Sequence, residues 1–344
     1  MKRHLNTLFV TTPGAYLAKE GEAVVVKRDG ETSLRVPLHM LGGVVCFGGV
    51  GMSPPLMGKC AESGVTVSFV TETGRYVASV HGFTAGNVLL RREQYRWADD
   101  PRRSAMVARS LVAAKIANAR TVLRRATRDY PDAPERANVE AVANRLAAIV
   151  RQAERCEDLD IVRGLEGEGA SLYFEVFGAL IVPAQRQTFP FNGRNRRPPL
   201  DPVNSMLSFL YAILAHDARA ACECAGLDGA VGFLHRDRSG RPGLALDLME
   251  EFRPFLADRL VLSLINRQQV EVSGFRTTEA GAVEMDDKTR KTVLTAYQQR
   301  KQEEITHPFL GETTTVGLLV HLQARLLARF IRGDLDAYPA FVWR

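Results

Sequence analysis

The sequence contains no apolar run of about 18 residues, the length that a membrane-spanning helix requires. Its most apolar segment, SMLSFLYAILAHDARAA, is interrupted by His216, Asp217 and Arg219. The N-terminus, MKRHLNTLFVTT, also lacks the apolar core and small-residue cleavage site of a signal peptide. We therefore expect a soluble cytoplasmic protein without a membrane partner.

Cysteine is scarce as well, with five residues among 344 and no CxxC pair. Cys222 and Cys224 flank Glu223 in an alanine-rich helical run, where buried reduced thiols are more common than a zinc site. The small number and the spacing of the cysteines argue against a disulfide framework and favour a reducing compartment. Internal repeats and low-complexity tracts are also absent.

The residues that are present change in pattern along the chain. Up to about Val80 they form short β-rich runs separated by glycine clusters, with a hairpin turn predicted at KRDGE and a helix at SPPLMGKCAESG. After a stretch rich in Gly, Asn and Asp-Pro, long Ala/Leu/Arg-rich segments repeat near 3.6 residues. The pattern predicts an α+β fold, with a small β-rich domain at 1–82, a linker at 83–99 and a larger all-α domain at 100–344.

Positive charge is concentrated in one stretch, although the whole chain carries only +6. Residues 101–128 contain eight basic side chains and no acid. Such a segment indicates a helix face that binds DNA phosphates, while the alternative is a solvated or salt-bridged face. The candidate DNA-binding residues here are Arg102, Arg109, Lys115, Arg120, Arg124 and Arg128.

A second basic segment lies in VPAQRQTFPFNGRNRRPPLDP, the longest irregular stretch, at about 182–202. Long loops in compact domains tend to be functional or disordered. Arg194, Arg196 and Arg197 add candidate DNA contacts, and Phe189 and Phe191 offer rings for stacking on bases. The alternative is a disordered basic loop.

Four side chains carry the most chemical content: Glu166, His235, Asp247 and Glu250. Carboxylates and an imidazole are ligands that hold a divalent metal against a phosphate. Asp247 and Glu250, three residues apart, would share one helix face, but the same spacing is also typical of a capping box. Glu166, at the start of a predicted helix, would by itself be interpreted as structural.

Several motifs, in this order, resemble those of the Cas1 family, the spacer integrases of CRISPR adaptation: GLEGEGA with SLYF, RPPLDPVNSMLSFLYAIL, AGLDGAVGFLH and LALDLMEEFRPFLADRLVL. The β-rich start also resembles that family's N-terminal domain, so the resemblance covers essentially the whole chain. Gly229 is a departure, since a proline is expected there; it affects the shape of a turn and not the ligands. The chain looks most similar to the type I-C branch.

The resemblance implies a catalytic site in which Glu166, His235 and Glu250 bind the metal and Asp247 acts indirectly or through a water. Glu168 and Glu251 are not required by the family pattern. A histidine among carboxylates suits Mn²⁺ as well as Mg²⁺. The resemblance also implies a homodimer, formed through the N-terminal domain, that joins the partner Cas2 in a heterohexamer and serves antiviral defence.

The implied reaction inserts short double-stranded DNA fragments into a CRISPR array. A DNA 3′-OH attacks a repeat-boundary phosphate in a metal-dependent transesterification, and attack by water instead gives endonuclease cleavage. Two alternatives stay open. The first is a stand-alone metal-dependent nuclease for branched DNA in repair, and the second is a non-catalytic DNA-binding scaffold in which Asp247 and Glu250 cap a helix.

Overall fold

The computed structural model of the chain describes residues 6–72, 76–80, 82 and 88–343. The chain divides into two compact units, Met1–Ala85 with Asp286–Glu303 and Gly86–Met285 with Glu304–Arg344. The predicted α+β class is confirmed, because strands fill most of the first eighty residues and helices most of the rest. Residues 83–87 of the predicted linker lie outside the described residues.

The first unit contains two four-stranded sheets. One has the order β1-β5-β7-β8, in which β5 pairs in parallel with β1 and β7, and the other has the order β4-β3-β2-β6. The elements are β1 (Asn6–Val10), β2 (Tyr16–Glu20), β3 (Ala23–Arg28), β4 (Glu31–Pro37), β5 (Leu41–Phe47), β6 (Gly51–Met52), helix α1 (Pro54–Glu62), β7 (Thr66–Val70) and β8 (Tyr76–Val80).

The turn between β3 and β4 confirms the hairpin predicted at KRDGE. Asp29 has a φ of 52° and Gly30 a φ of 85°, the left-handed pair that a tight two-residue hairpin requires. Helix α1 confirms the second local prediction. A single core joins both sheets to this helix, since Leu17, Val44 and Leu56 are all fully buried.

Helix α10 (Asp287–Gln302) belongs to the first unit, although the sequence predicts that its residues lie in the all-α domain at 100–344. Gln298 donates through Nε2 to the carbonyl oxygen of Thr7 at 2.8 Å, and Arg290 donates to that of Glu72. Helical periodicity shows only that one face is buried. It does not show which part of the chain covers that face.

The second unit is mostly helical. Its helices are α2 (Val88–Asp99), α3 (Pro101–Asp129), α4 (Arg136–Arg155), α5 (Leu159–Glu175), α6 (Pro183–Arg186), α7 (Pro202–Ala225), α8 (Gly243–Met249), a π-helix (Arg253–Asp258), α9 (Arg259–Asn266) and α11 (Val316–Ile331). Two hairpins differ from the all-α prediction: β9 (Phe275–Thr277) with β10 (Val283–Met285), and β11 (Glu304–Thr306) with β12 (Thr313–Thr315). Among the described residues, no helix has both the length and the apolar character needed to cross a bilayer.

Helix α2 occupies residues for which the sequence predicts a linker. The Gly, Asn and Pro residues behind that prediction flank the helix and do not interrupt it. Gln94 is fully buried and donates through Nε2 to the carbonyl oxygens of Asp228 and Val231, both at 2.8 Å. Residues 88–99 are therefore a packed part of the second unit.

Helix α3 is the central helix of this unit. Asp100 caps it by accepting from the backbone N–H of Arg102 at 2.9 Å, and Pro101 occupies the first turn. About half of its residues are buried, and it packs against α4, α5 and the π-helix. The basic segment at 101–128 therefore forms a core helix, and its basic side chains project from several faces of that helix.

The C-terminal segment, although irregular, is held firmly by buried polar groups. The Asn118 side chain of α3 donates to the carbonyl oxygens of Glu251 and Phe341, at 2.7 and 2.9 Å. Its Oδ1 accepts from the backbone N–H of Trp343 at 2.7 Å. Glu251 accepts hydrogen bonds from the Tyr338 hydroxyl and the Phe341 N–H. These contacts fix the backbone directly after Glu250.

Asp258 at the end of the π-helix generates a testable prediction. It is 1% exposed, and burial raises the pKa of its carboxyl to about 6, against the opposing effects of Tyr211, Arg253 and Arg194. Because this folded pKa lies above the unfolded value, the contribution of Asp258 to stability is full at low pH and is lost as pH rises through about 6. The free energy of unfolding should therefore fall between about pH 5 and pH 8, and in Asp258→Asn this fall should be smaller by about 1 kcal/mol.

Urea unfolding of both proteins across that pH range measures the difference. Identical pH profiles for Asp258→Asn and the unsubstituted protein would contradict the assignment.

Candidate metal centre

Glu166 lies in the middle of α5, not at a helix start as the sequence predicts. Its side chain contacts the ammonium group of Lys115 on α3. Gly169, one turn later, permits this close approach, because a Cβ there would lie 2.9 Å from Ile116 Cδ1 of α3. The glycines of GLEGEGA thus include one that lets α5 pack closely on α3.

Asp247 lies within α8, and its carboxylate points away from that helix's backbone. Oδ2 accepts from the backbone N–H groups of Phe233 and Leu234, at 2.5 and 3.0 Å. Oδ1 accepts from the His235 N–H at 3.0 Å and lies 2.7 Å from His235 Nδ1. The capping-box alternative is therefore wrong, since Asp247 binds the loop at 233–235 and Glu250 follows the last residue of α8.

His235 is oriented by this carboxylate. Carboxylate oxygens accept hydrogen bonds, so the tautomer with N–H at Nδ1 satisfies this contact and leaves Nε2 as the nitrogen that could bind a metal. Nε2 lies 3.9 Å from Glu250 Oε1. The sequence predicts His235 at the edge of a loop, and the structure places it inside the irregular segment 226–242 between α7 and α8.

Glu250 is the more buried of the two acidic residues among the predicted ligands, with 1% of the residue exposed. Its carboxylate lies 2.7 Å from Lys115 Nζ through Oε2 and 3.0 Å from Arg253 Nη1 through Oε1. Burial by itself would raise the pKa of this carboxyl, but the charges of Arg253, Lys115 and His235 lower it to about 2. Glu250 is therefore ionised at any physiological pH.

Lys115 is placed differently from its sequence prediction. It is 8% exposed and pairs with both Glu166 and Glu250, so it is a residue of the acidic site and not an exposed contact for DNA. Burial lowers the pKa of the Lys115 ammonium, but the two glutamates reverse this effect and raise it. A lone lysine within the apolar stretch SLVAAKIANA was the available sequence signal.

Arg253 pairs with Glu250 and lies over the Tyr211 ring at 4.8 Å. Burial opposes its charge, yet Glu250 raises the pKa of the guanidinium. The site therefore combines three potential ligands with two cations. Glu168 is exposed beside Arg145, and Glu251 is directed to the C-terminal segment, so neither faces the site.

Glu166, His235 and Glu250 are residue types that bind divalent metals, although their side chains are not arranged as a ligand group in this structure. In the described part of the chain, no three His, Cys, Asp or Glu side chains have metal-binding spacing. Lys115 lies between the two glutamates, which explains this finding. In favour of the fit, Glu250 Oε2 is buried and has no aligned hydrogen bond, and His235 Nε2 faces the same carboxylate.

The other predicted DNA-binding residues differ in their contacts. Arg120 donates to the Ala143 carbonyl oxygen at 3.2 Å, and Arg128 pairs with Asp129 at 3.0 Å. Arg194 is turned inward and donates to Asn204 Oδ1 at 2.7 Å. Arg102, Arg109, Arg124, Arg196 and Arg197 form no salt bridge with any acid among the described residues, so their DNA contacts stay a prediction.

The predicted base-stacking role is wrong for Phe189, which is buried, and stays a prediction for Phe191, which is half-buried. Phe189 is 1% exposed and meets Phe275 edge-on, with centroids 6.2 Å apart. Phe191 packs on Phe174 and Phe177, with centroids 6.2 and 5.2 Å away. Apolar burial is the ordinary fate of aromatic side chains, and here it anchors the 182–202 segment to the core.

Two glycines allow the His235 loop to pass close to α8. A Cβ on Gly243 would lie 2.6 Å from the Ala230 carbonyl oxygen, and one on Gly232 would lie 2.7 Å from the Gly243 carbonyl carbon. Gly243→Ala should therefore destabilise the protein by about 1–3 kcal/mol, because the obstacle is backbone that must move. Urea unfolding checks this, with Gly164→Ala in α5 as the control.

Gly164 has nothing within 4 Å of its Cβ position. Its substitution should be neutral or stabilise the helix by up to about 1 kcal/mol. Equal stability of the two variants would show that the close approach is not required.

Comparisons with known proteins agree with this fold. The family model described as CRISPR associated protein Cas1 matches residues 8–299. A curated relative from Chlorobaculum tepidum, the CRISPR-associated endonuclease Cas1 1, is 55% identical over the full length of both chains.

Two solved structures share the fold at low identity. A casposase bound to integration product aligns with a TM-score of 0.84 at 20% identity, covering 98% of this chain and 94% of that one. A Cas6-RT-Cas1–Cas2 complex aligns with a TM-score of 0.82 at 22% identity, covering 100% of this chain and 37% of that larger one. The family match and the full-length relative lead to one conclusion: this chain belongs to the Cas1 family of CRISPR-associated endonucleases.

Proposed function

We propose that this protein is a metal-dependent DNA integrase and endonuclease of CRISPR adaptation, which inserts short double-stranded DNA fragments into a CRISPR array. The observation that carries the proposal is the meeting of Glu166 and Glu250 at Lys115, with His235 Nε2 3.9 Å from Glu250 Oε1 and Asp247 holding the imidazole. The names of the curated relative and of the casposase neighbour support the same reaction class.

In this proposal Glu166, His235 Nε2 and Glu250 hold one Mg²⁺ or Mn²⁺. When bound, such a cation polarises a phosphodiester oxygen and neutralises charge that develops at phosphorus. Asp247 keeps the proton on His235 Nδ1, so that Nε2 stays a ligand. Arg253 provides fixed positive charge beside the phosphate, where a low-dielectric site strengthens its effect.

The main reaction is strand transfer. A bond forms between phosphorus and the incoming DNA 3′ oxygen, the bond from phosphorus to the array's own 3′ oxygen breaks, and the released strand takes up a proton. The number of phosphodiester bonds is unchanged, so the reaction needs no energy source. Water in place of the 3′-OH gives hydrolysis and therefore endonuclease activity.

The partners follow from the same proposal. The protein acts in the cytoplasm on double-stranded prespacer and repeat DNA. It forms a homodimer through the N-terminal domain, within residues 1–82, and joins Cas2 in a heterohexamer. The Cas1–Cas2 complex among the structural neighbours supports the choice of partner. Assignment to the type I-C branch is also part of the proposal.

Substitution of the ligands tests the site. Glu166→Ala, His235→Ala and Glu250→Ala should each lower strand transfer in Mn²⁺ by at least about a hundredfold, because a lost ligand removes the metal's stabilisation of the transition state. Asp247→Asn should cost about 10–100-fold, since the imidazole loses its orienting acceptor. Joining of labelled 3′-OH DNA to a repeat-containing plasmid measures both effects.

Glu168→Ala is the matched control, because Glu168 is an exposed acid on the same helix as Glu166. Wild-type joining by Glu166→Ala or His235→Ala would refute the proposal. Mostly nicked and unjoined product, with Cas2 present, would favour the branched-DNA repair nuclease. Retained DNA binding with no metal-dependent chemistry in the unsubstituted protein would favour the scaffold.

Lys115 and a divalent cation share the same two carboxylates, which predicts an effect on metal binding. Lys115→Met should lower the melting temperature without metal, because buried carboxylates lose a counter-charge. Mn²⁺ should then raise the melting temperature of this variant more than that of the unsubstituted protein. Thermal unfolding with and without Mn²⁺ measures both changes.

Lys115→Arg is the control, since it keeps the positive charge. A smaller Mn²⁺ effect in Lys115→Met than in the unsubstituted protein would show that the lysine does not compete with the metal.

A further inference from the structure

A buried set of polar side chains, here called the C-terminal network, lies beside the backbone that carries Glu250. Its members come from α3, the turn after α8, the β11–β12 hairpin, α11 and the C-terminal segment, and each is at most 4% exposed: Asn118, Glu251, His307, Gln323 and Tyr338. They bind one another and the backbone of the segment 338–343. The proposed reaction assigns no role to any of them.

Glu251 faces away from the metal centre, although it directly follows Glu250. Its carboxylate accepts from Gln323 Nε2 at 2.8 Å, from the Tyr338 hydroxyl and from the Phe341 N–H. Among the residues that the structure describes, it forms no salt bridge. A buried carboxylate without a cation adds little stability compared with a packed apolar side chain. What it does provide is a single arrangement of the donors around it.

The hydrogen bonds of His307 and Gln323 have one consistent direction. His307 Nδ1 accepts from the backbone N–H groups of Phe309 and Leu310, both at 3.3 Å. Its Nε2 therefore carries the proton, which is donated to Gln323 Oε1 at 3.0 Å. Gln323 Nε2 in turn donates to Glu251. The β11–β12 hairpin and α11 are thus both tied to the carboxylate of Glu251.

Asn118 connects the network to the metal centre from α3. It lies one turn after Lys115, whose Nζ is 2.7 Å from Glu250 Oε2. Asn118 Nδ2 donates to the carbonyl oxygens of Glu251 and Phe341, at 2.7 and 2.9 Å. Helix α3 therefore holds the side chain of Glu250 through Lys115 and the backbone after it through Asn118.

The backbone at 250–252 needs this support because it is a turn between α8 and the π-helix. Pro254 has no N–H, so it cannot donate to the Glu250 carbonyl oxygen as the fourth residue along does in an α-helix. The bond from the Asn118 side chain and the bonds to the Glu251 side chain hold the turn where helical bonding is interrupted.

Trp343 anchors the end of the segment 338–343. Its N–H donates to Asn118 Oδ1 at 2.7 Å. Two guanidinium groups lie over its ring, those of Arg125 at 3.8 Å and Arg259 at 4.2 Å from the centroid. Because only 8% of the residue is exposed, access of a quencher to this ring measures whether the segment is docked.

We propose that Glu251 and Asn118 are positioning residues for Glu250, which fix the turn that carries it by binding the segment 338–343. The inference rests on the proposed function, and it adds two residues that act through Glu250. Docking of the segment and correct placement of Glu250 stabilise each other. Loss of the network should therefore weaken metal binding as well as the chemical step.

Strand transfer, Mn²⁺ binding and tryptophan fluorescence together test this proposal. In a Trp97→Phe background Trp343 is the one remaining tryptophan, and Glu251→Ala and Asn118→Ala should each make it more accessible to acrylamide. Each should lower kcat for strand transfer by about tenfold and leave KM for DNA within about twofold, because Glu250 is misplaced and the DNA contacts are kept. The rise in melting temperature with Mn²⁺ should become smaller.

Val139→Ala is the control for lost stability, since Val139 is a buried residue near the start of α4 and outside the network. It should lower the melting temperature and keep the kcat, the quenching and the Mn²⁺ effect of the unsubstituted protein. Glu251→Gln should restore most of kcat, because its amide oxygen can still accept from Gln323 and Phe341.

Tyr338→Phe is the mildest variant, since it removes one donor to Glu251 and keeps the ring. It should change quenching, kcat and the Mn²⁺ effect in the same directions by smaller amounts, and it decides the matter if the alanine variants do not fold. A kcat or a Mn²⁺ effect equal to that of Val139→Ala would overturn the proposal.

The measurements also separate the two levels of inference. Failure of the unsubstituted protein to join DNA would contradict the proposed function itself. The Mn²⁺ effect would then still decide the positioning role: a smaller effect in Glu251→Ala than in Val139→Ala would support it, and equal effects would overturn it.

Discussion

Glu250 is only 1% exposed, so its carboxylate is a buried anion. A buried anion is stable only if cations and hydrogen-bond donors surround it. Lys115 comes to it from the middle of α3, and Arg253 comes from the start of the π-helix. Three separate elements must therefore pack in one arrangement before this charge is compensated. The same arrangement brings Glu166 to Lys115, so the constraint that stabilises the site also assembles it.

A second buried carboxylate, that of Asp247, fixes the loop that carries His235. Asp247 accepts from three consecutive backbone N–H groups, at residues 233–235, and also contacts the His235 ring. These bonds define the loop's backbone and the imidazole's orientation at the same time. They require Gly232 and Gly243 at the crossing, where a side chain would collide with backbone atoms. Asp247 therefore contacts His235 directly, and this contact is the basis of the indirect role proposed for it.

Periodicity and turn chemistry predicted the class of the fold and several of its elements. The β3–β4 hairpin and α1 were predicted because Asp-Gly and Pro are local signals that act within a few residues. The linker prediction failed at α2, since breakers mark boundaries but do not show how far a helix extends. The position of α10 in the first unit was also missed, because long-range packing has no local signature.

The residues of the candidate site were predicted from the sequence: two glutamates, one histidine and one aspartate, in motifs that resemble one family. Their partners were decided by the tertiary structure. Lys115, Arg120 and Arg194 look alike in the sequence as basic residues of basic segments, yet the first compensates buried acids and the other two donate to neighbouring oxygens inside the unit. A cation's role depends on which acids and carbonyls the packing brings within reach, and only the folded chain sets those distances.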